Sequence, residues 1–188
     1  MKQTQTVTKK DILTIVATIA ALSLLWYFVS PTLHQKEPSQ TQPSVQIQDN
    51  LYGMDATTTE RFNIAMQEVN DAAAKTLNDQ LRDAPLVLHS RGTLSPRAFN
   101  VSGAVSLLEV GGQKILRFEN LDTLNGPELR IYLASNLSDK DIVDLGPIRA
   151  TKGNVNYNVP ANTDTAKYRY VLVWSKSFGI MFSYAEFR

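Results

Sequence analysis

Hydrophobic and polar residues alternate with a period of two over the C-terminal part of the chain, from Leu86 onwards. In the clearest stretch Val101, Val105 and Leu107 alternate with serine and alanine, which is typical of a strand with one buried face. Gly111 and Gly112 then provide the backbone freedom of a tight hairpin. Further strands are predicted at residues 115–118, 129–134, 142–145, 154–159, 168–174 and 180–187. Short strands at this spacing predict an antiparallel sandwich or barrel at residues 85–188.

A helical periodicity precedes the strands and predicts one amphipathic helix at residues 54–84. Thr57 and Glu60 have the spacing of a capping box at its start, and Pro85 predicts that it ends near Asp83. This helix packs on the strand domain or stands as a stalk, and self-association as a short coiled coil is the alternative. Its predicted inner positions are Phe62, Met66, Val69, Ala73, Thr76 and Gln80.

The longest apolar stretch lies near the N-terminus, where residues 12–29 carry no charge. A helix of this length rises about 27 Å, which matches the hydrocarbon thickness of a bilayer. Lysines dominate the preceding residues 1–11, so the positive-inside rule predicts a cytoplasmic tail and an extracytoplasmic C-terminal part. A cleaved signal peptide is the alternative, although the stretch ends in a poor cleavage site. Residues 30–53, rich in Pro, Gln, Ser and Thr, predict a flexible linker.

Charge and cysteine content exclude several classes of function. The chain's 19 basic residues oppose 18 acidic ones, so it lacks the basic excess that nucleic-acid binding requires. It contains no cysteine, which excludes disulfides, thiolate metal sites and a cysteine nucleophile. Two histidines, His34 and His89, are too few for a histidine zinc site. We therefore predict neither a metal nor catalytic residues.

Several sequence phrases occur together in one order. The first half carries Phe99-Asn100-Val101-Ser102-Gly103, Leu116-Arg117-Phe118-Glu119-Asn120-Leu121 and Asn125-Gly126-Pro127-Glu128-Leu129-Arg130-Ile131-Tyr132-Leu133. The second half carries Asp144-Leu145-Gly146-Pro147-Ile148, Gly153-Asn154-Val155-Asn156-Tyr157-Asn158-Val159-Pro160 and Tyr170-Val171-Leu172-Val173-Trp174-Ser175-Lys176-Ser177-Phe178, followed by Phe182 and Ala185. In this order and spacing, nearly all of residues 86–188 resembles a DM13 domain.

The resemblance to DM13 domains implies a small β-sandwich, often extracellular, with a proposed part in electron transfer at the cell surface. That role is attributed to a cysteine after the Val-x-x-Trp strand, acting as a thiol or as a ligand to haem. Here that position is Ser175, and a histidine common in the first motif is replaced by Phe99. A serine hydroxyl neither cycles as a thiol nor binds haem iron well. We therefore predict no cofactor, and haem would follow only from the family analogy.

A candidate ligand pocket combines the motif residues with the polar residues around Gly153. It comprises Ser175, Trp174, Tyr157, Asn154 and Asn156, although the two aromatic residues are also typical of a core. Asp139, Asp141 and Asp144 are interpreted as a solvated acidic turn rather than a calcium site. The other motif residues are interpreted as structural residues of turns and core, namely Gly103, Asn125, Gly126, Pro127, Gly146, Gly153 and Phe178.

Together these features predict a single-pass membrane protein that displays a DM13-like β-sandwich outside the cell. Its predicted function is non-catalytic binding, with an extracellular protein or a small molecule as the partner. The alternative is a redox or electron-transfer component of a cell-surface system, in which Ser175 replaces the family cysteine. Self-association through residues 54–84 is a further predicted contact.

Overall fold

The computed structural model describes residues 45–71 and 75–188. Within these ranges the chain forms one helix, α1, followed by strands. The elements are α1 (Ala56–Asp71), β1 (Thr76–Asn78), β2 (Leu86–Thr93), β3 (Ser95–Pro96), β4 (Val101–Val110), β5 (Gln113–Thr123), β6 (Leu129–Ala134), β7 (Ile142–Pro147), β8 (Lys152–Asn158), β9 (Tyr170–Ser175) and β10 (Ile180–Glu186).

The strands form two sheets. The first has the order β1-β8-β5-β4-β2 and the second the order β3-β10-β9-β6-β7. Neighbouring strands are antiparallel except for β1 and β8, which are parallel. The mainly β, antiparallel fold predicted from the alternation is confirmed.

One core lies between the two sheets. The first sheet contributes Val105, Leu116 and Phe118, and the second contributes Val171 and Val173. These residues alternate along their strands with residues on the opposite face, which is how two facing sheets form a sandwich. The predicted hairpin is also present, because β4 and β5 pair up to Val110 and Gln113 around Gly111 and Gly112.

The helix is shorter than predicted. It ends at Asp71, and Thr76–Asn78 pairs as a strand with Lys152, Gly153 and Asn154 of β8. The prediction that it continues to residue 84 is therefore wrong, because a distant strand provides backbone partners that local periodicity does not reveal. The polar side chains of Thr76 and Gln80 make this part of the helical stripe weak.

The helix begins with Asp55 as its capping residue. The Asp55 side chain accepts hydrogen bonds from the Thr58 backbone N–H at 2.9 Å and from the Thr58 hydroxyl at 3.0 Å. These bonds hold the pKa of Asp55 below its usual value. The cap predicted at Thr57 is therefore wrong, since Thr57 lies inside the first helical turn.

Helix α1 packs on the sheets through its apolar side. Phe62 and Met66 are buried in the shared core, and the Phe62 ring meets the Phe178 ring edge to face at 5.1 Å. The Val69 carbonyl accepts a hydrogen bond from the Asn125 side chain at 3.2 Å. Of the two predicted placements, packing on the strand domain is the one observed.

Residues 45–54, which we call the strap, are docked on the second sheet. The Gln48 N–H donates to the Leu137 carbonyl at 2.9 Å, and the Asn50 N–H donates to the Gly179 carbonyl at 2.8 Å. Ile47 packs on the cluster around Trp174. The linker predicted at residues 30–53 is therefore wrong for residues 45–53, because a polar composition concealed a few anchoring side chains.

The predicted cytoplasmic tail at residues 1–11, the predicted transmembrane helix at residues 12–29 and the first part of the linker lie outside the described residues. Within the described ranges, no helix has the length and apolar character needed to cross a bilayer. The anchor and its alternative, a cleaved signal peptide, stay predictions.

Replacing Ser183 with alanine is expected to raise the free energy of unfolding by about 1 kcal/mol. Ser183 is fully buried in β10, and its hydroxyl has no hydrogen-bond partner among the described residues. Alanine would remove the unsatisfied group and leave only a small gap. Urea unfolding of the full chain measures the change, and a variant less stable than the parent would contradict it.

Candidate functional site

Ser175, the residue at the family's cysteine position, lies in the packed interior. It ends β9 and pairs with Leu129 of β6 and Ile180 of β10. The residue is fully buried, and its hydroxyl donates to the Pro127 carbonyl at 2.7 Å. The only proton of this hydroxyl is therefore used in a buried structural bond.

The turn before β6 positions the carbonyl that Ser175 binds. The Asn125 side chain accepts from the Gly126 N–H at 3.0 Å, and Glu128 adopts a positive φ of 45°. A Cβ atom at Gly126 would overlap the ring of Phe182, so this position requires glycine. Asn125, Gly126 and Pro127 thus shape a turn that fits closely against the core.

Trp174 faces away from Ser175. It belongs to a second apolar cluster with Tyr132, Leu172 and Met181, whereas Val173 faces the shared core. Adjacent residues of a strand point to opposite faces of the sheet. Trp174 instead borders a small cavity of about 290 Å³ that the strap partly encloses. The predicted pocket with Ser175 and Trp174 side by side is not formed.

Tyr157 lies in the shared core on β8. Its ring meets the Phe118 ring edge to face at 5.8 Å, and its hydroxyl accepts a hydrogen bond from the Arg149 N–H at 2.9 Å. Burial raises the pKa of Tyr157 to about 12, because the phenolate would lose its hydration. The phenol is a neutral core group at physiological pH.

We expect the free energy of unfolding to decrease at alkaline pH because Tyr157 ionises more readily in the unfolded chain. An unfolded tyrosine has a pKa near 10, so the stabilisation by neutral Tyr157 is complete below about pH 10 and is lost as the pH rises through about 12. The two-unit difference corresponds to about 2–3 kcal/mol.

The measurement is urea unfolding between pH 8 and about pH 12, with Tyr157→Phe as the control. The phenylalanine variant retains the ring and lacks the ionisable hydroxyl, so the difference from the parent isolates this group. Parallel pH curves for the two proteins would contradict the expectation.

Asn154 and Asn156 lie on the opposite face of β8 and fasten neighbouring segments. Asn156 accepts from Arg117 Nη1 at 2.9 Å, and its N–H donates to Asp79 Oδ2 at 2.9 Å. The Asn154 side chain accepts from the Asn120 N–H at 2.9 Å. The five residues of the candidate pocket are therefore distributed over two sheets and do not converge on one ligand.

The remaining motif glycines lie within strands. Gly103 has a φ of 116° at a bulge of β4, where a Cβ would meet the carbonyl oxygens of Glu119 and Asn120 at 2.8 and 2.9 Å. Gly146 lies in β7 and Gly153 in β8 beside β1.

The acidic candidates are engaged in ion pairs, and His89 contacts a carboxylate. Asp141 accepts from Lys167 at 2.9 Å, which lowers the pKa of Asp141, and Asp144 accepts from Arg130 at 2.7 Å. His89 lies 3.0 Å from Glu109 on the neighbouring strand. In the part of the chain that the structure describes, no cluster of three such side chains could hold a metal ion.

A groove of about 770 Å³ is the feature that the sequence did not reveal. Strand register creates it, because Asp122 of β5 pairs with Ser102 of β4 on one side and with Lys152 of β8 on the other. Lys152 and Asp122 form an exposed ion pair at 3.5 Å. The lining residues are Phe99, Asn100, Val101, Ser102, Asp122, Thr123, Leu124, Asn125, Thr151 and Lys152.

Residues 93–187 match the family described as electron transfer DM13, and this region covers half of the chain. The chain belongs to the DM13 family. No curated protein and no solved structure matches it. The matched DM13 region begins at the last residue of β2 and extends through β10.

Ser175 and Phe99, which occupy the positions where the resemblance implies a cysteine and a histidine, do not fit a thiol or haem function. Ser175 is sealed in the interior, and the Phe99 ring packs on Phe182 with centroids 4.6 Å apart. The Phe62 ring of α1 packs beside both rings, tilted at 6.3 Å from Phe99 and edge to face at 6.5 Å from Phe182. Aromatic side chains thus occupy the space next to Phe99, and neither Ser175 nor Phe99 offers a ligand that haem iron prefers.

Proposed function

We propose that this protein carries its DM13 domain outside the cell membrane on a retained anchor at residues 12–29, and that the domain is a non-catalytic binding module. The burial of Ser175 is the observation that supports a binding role over a redox role. A redox thiol or a haem ligand needs access to its reaction partner, whereas Ser175 is fully buried and bound to Pro127.

The groove around Asp122 supports a binding role and indicates the chemistry of the ligand. Phe99 and Leu124 provide apolar surface, and the Leu124 side chain is exposed. Ser102 and Thr123 add hydroxyl groups, and Asn100 and Asn125 add side-chain amides. The Asp122–Lys152 ion pair lies at the rim. Such a lining suits a small molecule, or a side chain of a partner, with one apolar face and several polar groups.

An absorbance spectrum tests the choice between binding and electron transfer. The full chain would be purified from the membranes of its native host without added cofactor. We expect only the absorption of the aromatic residues. A stoichiometric haem or flavin spectrum would overturn the binding proposal and establish the electron-transfer alternative.

A thiol placed at position 175 tests whether this position can exchange with solvent. We expect Ser175→Cys to react with Ellman's reagent only after denaturation. Asn162→Cys, on an exposed loop, is the matched control and should react at once in the native protein. A rapid native reaction of Ser175→Cys would show an accessible redox position and count against the proposal.

The same cysteine-free background tests the proposed topology. A membrane-impermeant maleimide added to intact cells should label Asn162→Cys, whereas Thr4→Cys in the predicted tail should be labelled only after lysis. The reverse pattern would overturn the orientation, and loss of the N-terminal residues from the mature protein would show a cleaved signal peptide.

A further inference from the structure

The first half of β2 presents an unusual apolar surface. Leu86, Val87 and Leu88 have exposed fractions of 51%, 53% and 54%. They are three of the seven large apolar side chains that are exposed among the described residues, and they are consecutive. Their side chains alternate between the two faces of the sheet, so both faces of this strand end are apolar.

Strand β2 is also an edge. Its neighbour in the first sheet is β4, and the described residues place no strand on its other side. The second half of β2 is covered, because the Arg188 N–H donates to the Arg91 carbonyl at 3.0 Å. The first half, from Leu86 to the irregularity between Leu88 and Ser90, therefore offers unpaired backbone groups next to exposed apolar side chains.

Exposed edges in native proteins usually carry charges, prolines or bulges that prevent pairing with another chain. Leu86, Val87 and Leu88 carry none of these, while Pro85 and the irregularity limit the open edge to this short stretch. An edge that is open over three apolar residues and closed on both sides suits one defined partner strand.

We propose that a second copy of this chain binds here, through antiparallel pairing of β2 with β2 about a two-fold axis at Val87. The stretch Leu86-Val87-Leu88 reads the same in both directions. In this register Val87 faces its own equivalent, and Leu86 faces Leu88 of the other copy, so every cross-strand pair is apolar.

Charge complementarity supports the same antiparallel orientation. Asp83 precedes β2 and is exposed, and antiparallel pairing about Val87 places it on the same side of the axis as Arg91 of the second copy, which lies beyond the irregularity between Leu88 and Ser90. The Arg91 side chain is 59% exposed although it binds Glu119 of its own sheet at 2.9 Å. Symmetry repeats this pair on both sides of the axis. The contact is separate from the predicted self-association of the helix, whose residues Phe62 and Met66 are buried against its own domain.

Disulfide trapping in the full chain tests the pairing, because the chain has no cysteine of its own. We compare Val87→Cys, Leu86→Cys and Leu88→Cys, whose nearly equal exposure matches their thiol accessibility. A disulfide needs Cβ atoms about 4 Å apart. Only position 87 faces itself, whereas equivalent residues at 86 or 88 lie on a diagonal of roughly 7–8 Å.

We expect mild oxidation of the Val87→Cys protein in its membrane to yield a dimer of twice 20.9 kDa. The dimer yield of Val87→Cys should exceed that of Leu86→Cys alone or of Leu88→Cys alone at least several-fold. A mixture of Leu86→Cys and Leu88→Cys chains should recover the dimer, because these positions face each other across the axis. Adding Leu88→Lys to Val87→Cys should lower the yield roughly tenfold, which corresponds to about one decade in affinity.

Leu88 is exposed, so the lysine variant should keep its fold, and an unchanged melting temperature verifies this. Equal yields at positions 86, 87 and 88 would show association without register and overturn the proposal. A monomeric Val87→Cys protein, or one that is linked to a different protein, would overturn it too. A different protein in the cross-link would identify β2 as an edge for an unlike partner strand.

Discussion

Replacing Phe182 with alanine is expected to lower the free energy of unfolding by about 3–5 kcal/mol. Phe182 is fully buried in β10, where its ring packs on Phe99 at 4.6 Å and against Gly126. Its ring also faces Phe62 of α1 at 6.5 Å. Truncation would remove a shared contact surface of the helix, the turn and the sheet, and leave a cavity that these elements cannot all close.

Urea unfolding of the full chain, followed by tryptophan fluorescence, measures this loss. Phe178→Ala is the control, because Phe178 packs on Phe62 at the margin of the same cluster and is only partly buried. We expect its loss to be clearly smaller. A loss below about 1 kcal/mol for Phe182→Ala would show that the cluster does not hold the helix and the sheet together.

Replacing Asp49 with alanine is expected to cost about 3 kcal/mol, the lower part of the range for breaking a buried ion pair. The Asp49 side chain is 1% exposed and accepts two hydrogen bonds from the Arg97 guanidinium, both at 3.3 Å. It also accepts from the Met181 N–H at 3.4 Å. Alanine would leave the Arg97 charge and a strand-end amide without this partner.

Two measurements distinguish this effect from a general loss of stability. Unfolding experiments give the free energy, with Asp122→Ala as the control for an exposed ion pair, which should cost less than about 1 kcal/mol. Limited proteolysis reports release of the strap, residues 45–54, and should be faster in Asp49→Ala at urea concentrations where the sheets remain folded. An Asp49→Ala protein as stable as Asp122→Ala would contradict the buried role of this carboxylate.

The strands could be predicted because their signals are local. The alternation before Gly111 and after Gly112 predicts both strands of the β4–β5 hairpin, and the two glycines predict its turn. The observed strands pair Val110 with Gln113 across this turn. Strand β6 likewise has the predicted bounds, 129–134. Burial on one face of a sheet leaves a period of two in the sequence, so a single strand can be recognised without its neighbours.

The strap and β1 could not be predicted because their partners are distant in sequence. Asp49 is stabilised by Arg97, and Thr76 pairs with Lys152 in a parallel arrangement. The strap has no periodicity of its own, and β1 lies in a segment whose weak helical periodicity favours a helix instead of a strand. A polar segment held by one buried carboxylate has the composition of a linker.

The candidate site failed for a geometric reason. Adjacency in a family motif predicts that Ser175 and Trp174 line one pocket, whereas adjacency in a strand directs their side chains to opposite faces. The groove shows the converse, since Ser102, Asp122 and Lys152 are far apart in sequence and meet only through the register of three strands. A family motif identifies residues that are close in sequence, whereas the register of the strands determines which residues lie on the same surface.

The family match and the compact unit have different limits. The DM13 match starts at Thr93, whereas the compact unit starts at Val45 and includes α1, β1 and β2. Strands β1 and β2 are the two edges of the first sheet, and Phe62 of α1 belongs to the core. A fragment that began at Thr93 would lack β1 and nearly all of β2. Strands β8 and β4 would then become the unpaired edges of the first sheet. The region that matches the family is therefore smaller than the compact unit, and expression of the domain should begin before the strap.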